Sequence, residues 1–108
     1  MKSSDAVDSL AALAQETRLG IFRLLVQYAP AGLPAGAIAR RLKLPNPTLS
    51  FHLNVLAAAG LVRSHKSGRS ISYTANLESV GRLTTFLLEN CCRGDSCELR
   101  EHGKGGSR

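Results

Sequence analysis

Residues 46–60 read Asn46-Pro47-Thr48-Leu49-Ser50-Phe51-His52-Leu53-Asn54-Val55-Leu56-Ala57-Ala58-Ala59-Gly60, and this stretch decides the fold. Its leucines stand at positions 49, 53 and 56, which is the i, i+4 and i+7 spacing of a helix that buries one face. The opposite face carries Pro47, Ser50, Phe51, Asn54 and Ala58. The pattern therefore predicts an amphipathic helix with an aromatic side chain on the face turned away from the core.

Both ends of this helix carry recognisable signals. Asn46 suits the N-cap, and Pro47 suits the first helical position, where the missing N–H group costs no hydrogen bond. Gly60 suits a left-handed residue just beyond the last turn.

The neighbouring segments predict a winged helix-turn-helix. A short helix is expected over residues 35–42, joined to the next helix by the tight turn Lys43-Leu44-Pro45-Asn46. Residues 62–75 then change to the alternating period of strands, with Ile71 and Tyr73 on one face and a turn at residues 66–69. Two helices joined by a tight turn and followed by a basic hairpin are the parts of that motif.

Helices at both ends complete the expected architecture. Residues 5–14 and 17–28 are expected to precede the motif and residues 77–92 to follow it, with N-caps at Asp5, Thr17 and Asn76. Pro30, Gly32 and Pro34 indicate a connector. The fold class is therefore mainly α with a β-hairpin wing, in which residues 1–92 form one domain and residues 93–108 a flexible, cysteine-containing tail. The first and last helices keep apolar stripes after one small core is filled, so we expect a homodimer through them.

The charge of the chain is unevenly divided. No acidic residue lies between Glu16 and Glu78, and this segment holds eight lysines and arginines, a formal charge of +8 within a chain of +6. A carboxylate-free segment that covers the motif is a candidate surface for a polyanion. No apolar run approaches the ~18 residues needed to span a bilayer. We therefore expect a cytoplasmic protein with no membrane partner.

The parts of this motif suit double-stranded DNA, because a helix fits the major groove and its N-terminus offers N–H groups to phosphate. The residues expected to contact DNA are Asn46, Pro47, Thr48, Ser50, Phe51, His52, Asn54, His65, Lys66 and Arg69. Phe51 could instead pack against a neighbouring element or a dimer partner. His52, three residues from Leu49, could be a hydrogen-bonded packing residue, and the hairpin tip could be an ordinary solvated turn.

The same residues resemble the ArsR/SmtB family of winged-helix repressors. The resemblance rests on residues 49–56 followed by Ala59-Gly60-Leu61-Val62, on the upstream run of residues 13–25, and on Gly68-Arg69 in the wing. It covers residues 6–92 and implies a homodimeric repressor that binds an operator when free and releases it when an effector binds. Two effector sites of the family are missing, because residues 33–38 hold no cysteine and residues 77–92 hold neither Asp nor His.

All three cysteines lie within seven residues, as Cys91, Cys92 and Cys97. A disulfide framework would spread them along the chain. The cluster resembles the C-terminal three-cysteine site of arsenite-responsive members of the family. This implies trivalent arsenic or antimony as effector, held by three thiolates, with no organic cofactor and no small organic substrate. The expected geometry places Cys91 and Cys92 about 100° apart on the last helix and returns Cys97 through residues 93–96.

Other interpretations of the cluster stay open. The three cysteines and His102 could hold a structural zinc ion. Cys97 could form a disulfide with Cys91 or Cys92, whereas a bond between the adjacent pair would be strained. Cys91 could also belong to the core, and another soft or zinc-like ion or thiol oxidation could be the signal. A thiol enzyme such as an arsenate reductase is disfavoured, since there is no Cys-x-x-Cys pair and no phosphate-binding loop, and we expect no enzymatic activity.

Overall fold

Five helices and a three-stranded sheet make up residues 1–93, the part of the chain that the computed structural model describes. In chain order the elements are α1 (Ser3–Leu13), α2 (Glu16–Gln27), β1 (Leu33–Pro34), α3 (Ala35–Leu42), α4 (Asn46–Ala58), β2 (Val62–Ser67), β3 (Ser70–Ala75) and α5 (Leu77–Leu88). The helix-turn-helix is α3 and α4, and the wing is the hairpin of β2 and β3. The predicted fold class is confirmed.

The core holds α4 against the helices before it. The largest fully buried side chains are Ile21, Leu25, Ile38, Leu49, Leu53, Leu56 and Leu61. The leucine stripe of residues 49, 53 and 56 thus faces inward as its spacing predicts. Since burying one such side chain contributes about 1.5–3 kcal/mol, the stripe fixes which face of α4 is left for solvent.

The wing forms as the alternating pattern predicts. Strands β2 and β3 pair antiparallel from Val62↔Ala75 to Ser67↔Ser70, which leaves a two-residue loop of Gly68 and Arg69. Gly68 has a φ of 61°, the conformation that a type II′ turn requires at its first central residue and that glycine adopts without strain. The loop therefore holds Arg69 at the tip of the hairpin.

A third strand was missed by the sequence patterns. Leu33 and Pro34 form β1, which pairs antiparallel with β3 as Leu33↔Tyr73 and Pro34↔Ser72. A two-residue strand with a proline carries no alternation, so the residues were predicted as a connector. Gly32 permits the approach: its φ is 80°, and a Cβ there would collide with the carbonyl oxygen of Tyr73 and the methyl group of Thr74.

Three predicted N-caps are wrong by one or more positions. Helix α1 begins at Ser3, and Asp5 lies at its third position, where Oδ2 accepts the N–H of Lys2 at 3.4 Å. Gln15 caps α2 in place of Thr17, because its Oε1 accepts the Arg18 N–H at 2.9 Å. In α4, extended Pro45 precedes the helix, so that Asn46 and Pro47 are its first two residues. The Asn76 cap is confirmed, with Oδ1 accepting from the Ser79 N–H at 3.3 Å.

The last helix is shorter than the sequence predicts. It ends at Leu88, after which Glu89 is extended and Asn90 and Cys92 adopt positive φ values of 63° and 67°. Cys91 and Cys92 therefore lie in the turns that follow α5, and the prediction that both lie on this helix is wrong. The apolar stripe had suggested continuation, but Leu87 and Cys91 at its end are exposed.

Candidate nucleic-acid interface

The outward face of α4 presents the side chains that the sequence singled out. Ser50, Phe51 and Asn54 are exposed, and Phe51 keeps 60% of its surface open to solvent. Its ring makes one aromatic contact within the described chain, edge to face with His52 at 5.3 Å between centroids. An aromatic ring so exposed on a rigid helix is available to a partner, whether a base edge or another protein surface.

The N-terminus of α4 is open as well. Asn46, Pro47 and Thr48 are exposed, and no side chain caps this end. The first turn of a helix leaves backbone N–H groups unpaired and carries the positive end of the helix dipole. This end of α4 could therefore take a phosphate group.

The tip of the wing brings the predicted basic residues together. His65 pairs with Ser72, Lys66 pairs with Ile71, and Arg69 lies in the connecting loop, all three with exposed side chains. Exposure is compatible with a phosphate contact and with a solvated turn, so the geometry leaves both interpretations in place.

His52 is the exception among the predicted contacts. It is only 9% exposed, and its Nδ1 lies 3.3 Å from Nη1 of Arg18 on α2. The side chain shares the inward face of α4 with Leu49 and Leu53, and so it is not placed to reach a base. The expectation of a DNA contact at His52 is corrected, and its packing interpretation is supported.

Three basic residues of the helix-turn-helix were not among the predicted contacts. Arg40, Arg41 and Lys43 lie exposed on α3 and at its C-cap. The guanidinium of Arg41 lies 4.8 Å above the ring of Tyr28, a cation–π contact that holds it against the end of α2. The three residues were counted in the charge of the acid-free segment. They were not predicted as DNA contacts, because the prediction considered only the α4 helix and the wing.

The basic segment is almost free of ion pairing in the structure. Among the described residues the salt bridges join Glu78 to Arg63 at 3.8 Å and to Arg82 at 3.7 Å, all with exposed side chains. Arg63 is thus the single base of the segment with a carboxylate partner in residues 1–93. Of the others, Arg18 is half-buried and bonded to Ala12 and His52, while the exposed bases keep their charge available for an external polyanion.

Cys91 and Cys92 are the two predicted cysteine ligands that lie within the described residues. Cys91 is exposed, which excludes the core interpretation, and its Sγ lies 3.1 Å from Sγ of Cys92. Cys92 is disulfide-bonded, while Cys97 and His102 lie outside the described residues. Residues 1–93 hold no cluster of three or more His, Cys, Asp or Glu side chains suited to a metal ion. The three-thiolate site therefore stays a prediction.

No helix in residues 1–93 has the length and apolar character that crossing a bilayer requires.

Comparisons with known proteins agree with this geometry. Residues 13–65 match the model of a helix-turn-helix domain family. The chain is similar to the structure of an ArsR-like transcriptional regulator from Rhodococcus sp. RHA1, with a TM-score of 0.70 and 34% identity, covering 78% of this chain and 76% of that one. It also resembles a homodimeric winged helix-turn-helix DNA-binding domain from Mycobacterium bovis, described as a possible ArsR-family regulator (TM-score 0.66, 30% identity, 78% and 75% covered). The transcriptional repressor SdpR of Bacillus subtilis is 29% identical over 85 residues, which is 79% of this chain and 91% of that repressor.

Proposed function

Because the chain belongs to the ArsR family of winged helix-turn-helix transcriptional regulators, we propose that it is a homodimeric repressor that binds operator DNA and releases it when an effector occupies its cysteines. The observation that carries the DNA-binding part is the open face of α4 beside the wing, within a segment that has eight bases and no acid. The Bacillus subtilis protein SdpR, of which the match covers 91%, is a transcriptional repressor, and this similarity supports repression over activation.

A dimer would place two copies of α4 in successive major grooves of a pseudo-palindromic site. Apolar side chains left exposed on the end helices support such an interface: Val7 and Leu10 on α1, and Leu77, Leu87 and Leu88 on α5. These helices lie outside the acid-free segment, so that dimerisation would leave the basic face open.

The DNA-binding part is tested with an operator selected by the protein from random double-stranded DNA. Arg69→Ala should weaken binding and lower the slope of log K against log salt by about one, because one phosphate contact is lost. Arg82→Ala on α5 is the control, and its slope should equal that of the unsubstituted chain. Equal slopes for all three proteins would remove the wing from the interface.

For the effector we propose trivalent arsenic or antimony, bound by the thiolates of Cys91, Cys92 and Cys97. Support comes from the sequence cluster and from the position of exposed Cys91 and half-buried Cys92, whose sulfur atoms lie 3.1 Å apart. Thiolates bind soft ions preferentially. Cys91 and Cys92 lie in turns after α5, so their side-chain directions are not set by helix geometry. Binding three thiolates requires the reduced chain. The neighbouring sulfur atoms of Cys91 and Cys92 are also the basis of a second candidate, release by thiol oxidation.

One titration separates these candidates. The reduced protein bound to its selected operator is titrated separately with arsenite, zinc and peroxide, and release is followed by fluorescence anisotropy. We expect release by arsenite, and we expect Cys91→Ser and Cys92→Ser to keep operator affinity while losing that release. A complex that survives a large excess of arsenite under reducing conditions would contradict the proposal. Release by peroxide alone would establish oxidation in its place.

A further inference from the structure

Arg18 connects three helices through one guanidinium group. Its Nε donates to the carbonyl oxygen of Ala12 at 2.7 Å, and its Nη1 lies 3.3 Å from Nδ1 of His52. Ala12 is in the last turn of α1, where carbonyl groups have no partner within the helix and a cation is favoured. The side chain of one residue on α2 thus bridges the end of α1 and the middle of α4.

The chemistry of the pair fixes the direction of the hydrogen bond between Arg18 and His52. A guanidinium has N–H donors and no acceptor, so Nδ1 of His52 must accept the hydrogen bond. The burial of His52 at 9% exposure means that removing Arg18 would leave a polar atom without this partner in the interior.

Few other side chains fill the space between α1 and the second half of α4. A groove of about 430 Å³ runs between them, and apart from Asp8, Arg18 and Val55 it is lined by alanines: Ala11, Ala12, Ala58 and Ala59. The short methyl side chains that line this groove offer little shape that would fix the angle between the two helices. The Arg18 bridge is therefore a directional restraint on the angle between α1 and α4.

We propose that Arg18 is the positioning residue that sets the angle of the recognition helix α4 relative to the dimer helix α1. In a dimer held through α1 and α5, this angle determines the separation of the two recognition helices and thereby the half-site spacing that the protein accepts. The inference rests on the proposed function, since it concerns the dimer on its operator. It assigns a role to a residue that has no expected contact with DNA.

The test uses the selected operator and two derivatives whose half-sites are moved apart or together by one base pair. The unsubstituted protein should discriminate against both derivatives by about tenfold. Arg18→Lys keeps the charge, but one ammonium cannot reproduce the fork to Ala12 and His52. Arg18→Lys and His52→Leu should both reduce the discrimination to less than about threefold, and the double variant should lose no more than either single one.

Two further variants separate positioning from loss of stability. His52→Asn keeps an acceptor near the position of Nδ1 and should retain the discrimination. Ile21→Val, in the same helix as Arg18 and fully buried, removes a methylene group without touching the bridge and should also retain it. All measurements are made at a temperature where circular dichroism shows every variant folded.

The outcomes are distinct. Unchanged spacing discrimination in Arg18→Lys and His52→Leu would overturn the inference. A loss of discrimination in Ile21→Val as large as that in Arg18→Lys would also overturn it. Either result would leave the proposed function intact. Failure of the unsubstituted protein to select any DNA sequence would overturn the proposed function itself.

Discussion

Neighbouring positions on α4 have opposite roles because the helix turns by about 100° per residue. Phe51 is 60% exposed, while His52 is 9% exposed and held by Arg18. The sequence predicted the outward position of Phe51 from the leucine stripe. It left His52 open, since the partner that buries a polar group lies 34 residues away in the chain and carries no local signal.

At this scale the clearest prediction concerns Phe51. Phe51→Ala should lower operator affinity by about tenfold, because an apolar contact to a base edge is lost, and should leave the melting temperature nearly unchanged. Val26→Ala, another exposed apolar position at 41% exposure but on α2, should change neither quantity. A weaker dimer with unaltered DNA affinity per dimer would instead assign Phe51 to a protein contact.

The elements were predictable where a periodic pattern extends over several turns or pairs. The stripe of α4 and the alternation of β2 and β3 fall in this class. Strand β1 did not, because two residues, one of them proline, carry no period. The helix ends in the structure differ from the predicted ones. At the start of α2 several residues could cap the helix, and Gln15 does so in place of Thr17. Helix α5 ends at Leu88, although its apolar spacing continues to Cys91.

Two glycines of opposite character test the element boundaries. Gly32→Ala should destabilise the fold by about 2 kcal/mol or more, since its φ of 80° and the carbonyl of Tyr73 leave no room for a Cβ. Gly20→Ala, inside α2 with nothing near its Cβ position, should stabilise it by about 0.5–1 kcal/mol. Urea unfolding of both variants provides the measurement. Equal stabilities would mean that β1 does not approach β3 at Gly32.

The charge of the whole molecule is distributed unevenly between the part that we propose binds DNA and the parts that we propose form the dimer and bind the effector. The acid-free segment runs from just after Glu16, the first residue of α2, through the wing to Glu78 in α5, and every carboxylate of the chain lies at or outside these two ends. This uneven distribution of charge was predictable from the sequence, because the charge of a segment follows from its residue types alone. The three-cysteine site stays a prediction from the sequence, because Cys97 lies outside the described residues.

The assembly prediction belongs to this scale. Leu10→Glu on α1 should shift the chain from dimer to monomer and weaken operator binding, because a charge would be buried in the interface. Leu19→Glu on α2 is the matched control, as both leucines are 43% exposed. Sedimentation velocity measures the fraction of dimer in both variants. If Leu10→Glu remained a dimer, α1 would not form the interface.

The central claim, that α4 and the wing form the DNA-binding surface, is tested most directly by site-resolved NMR of the ¹⁵N-labelled, reduced chain on addition of its selected operator. We predict that the largest amide shift changes fall on residues 46–54 and 65–69, with smaller changes on the exposed part of α3. Changes confined to α1 and α5, with the signals of α4 and the wing unaltered at saturation, would contradict the account.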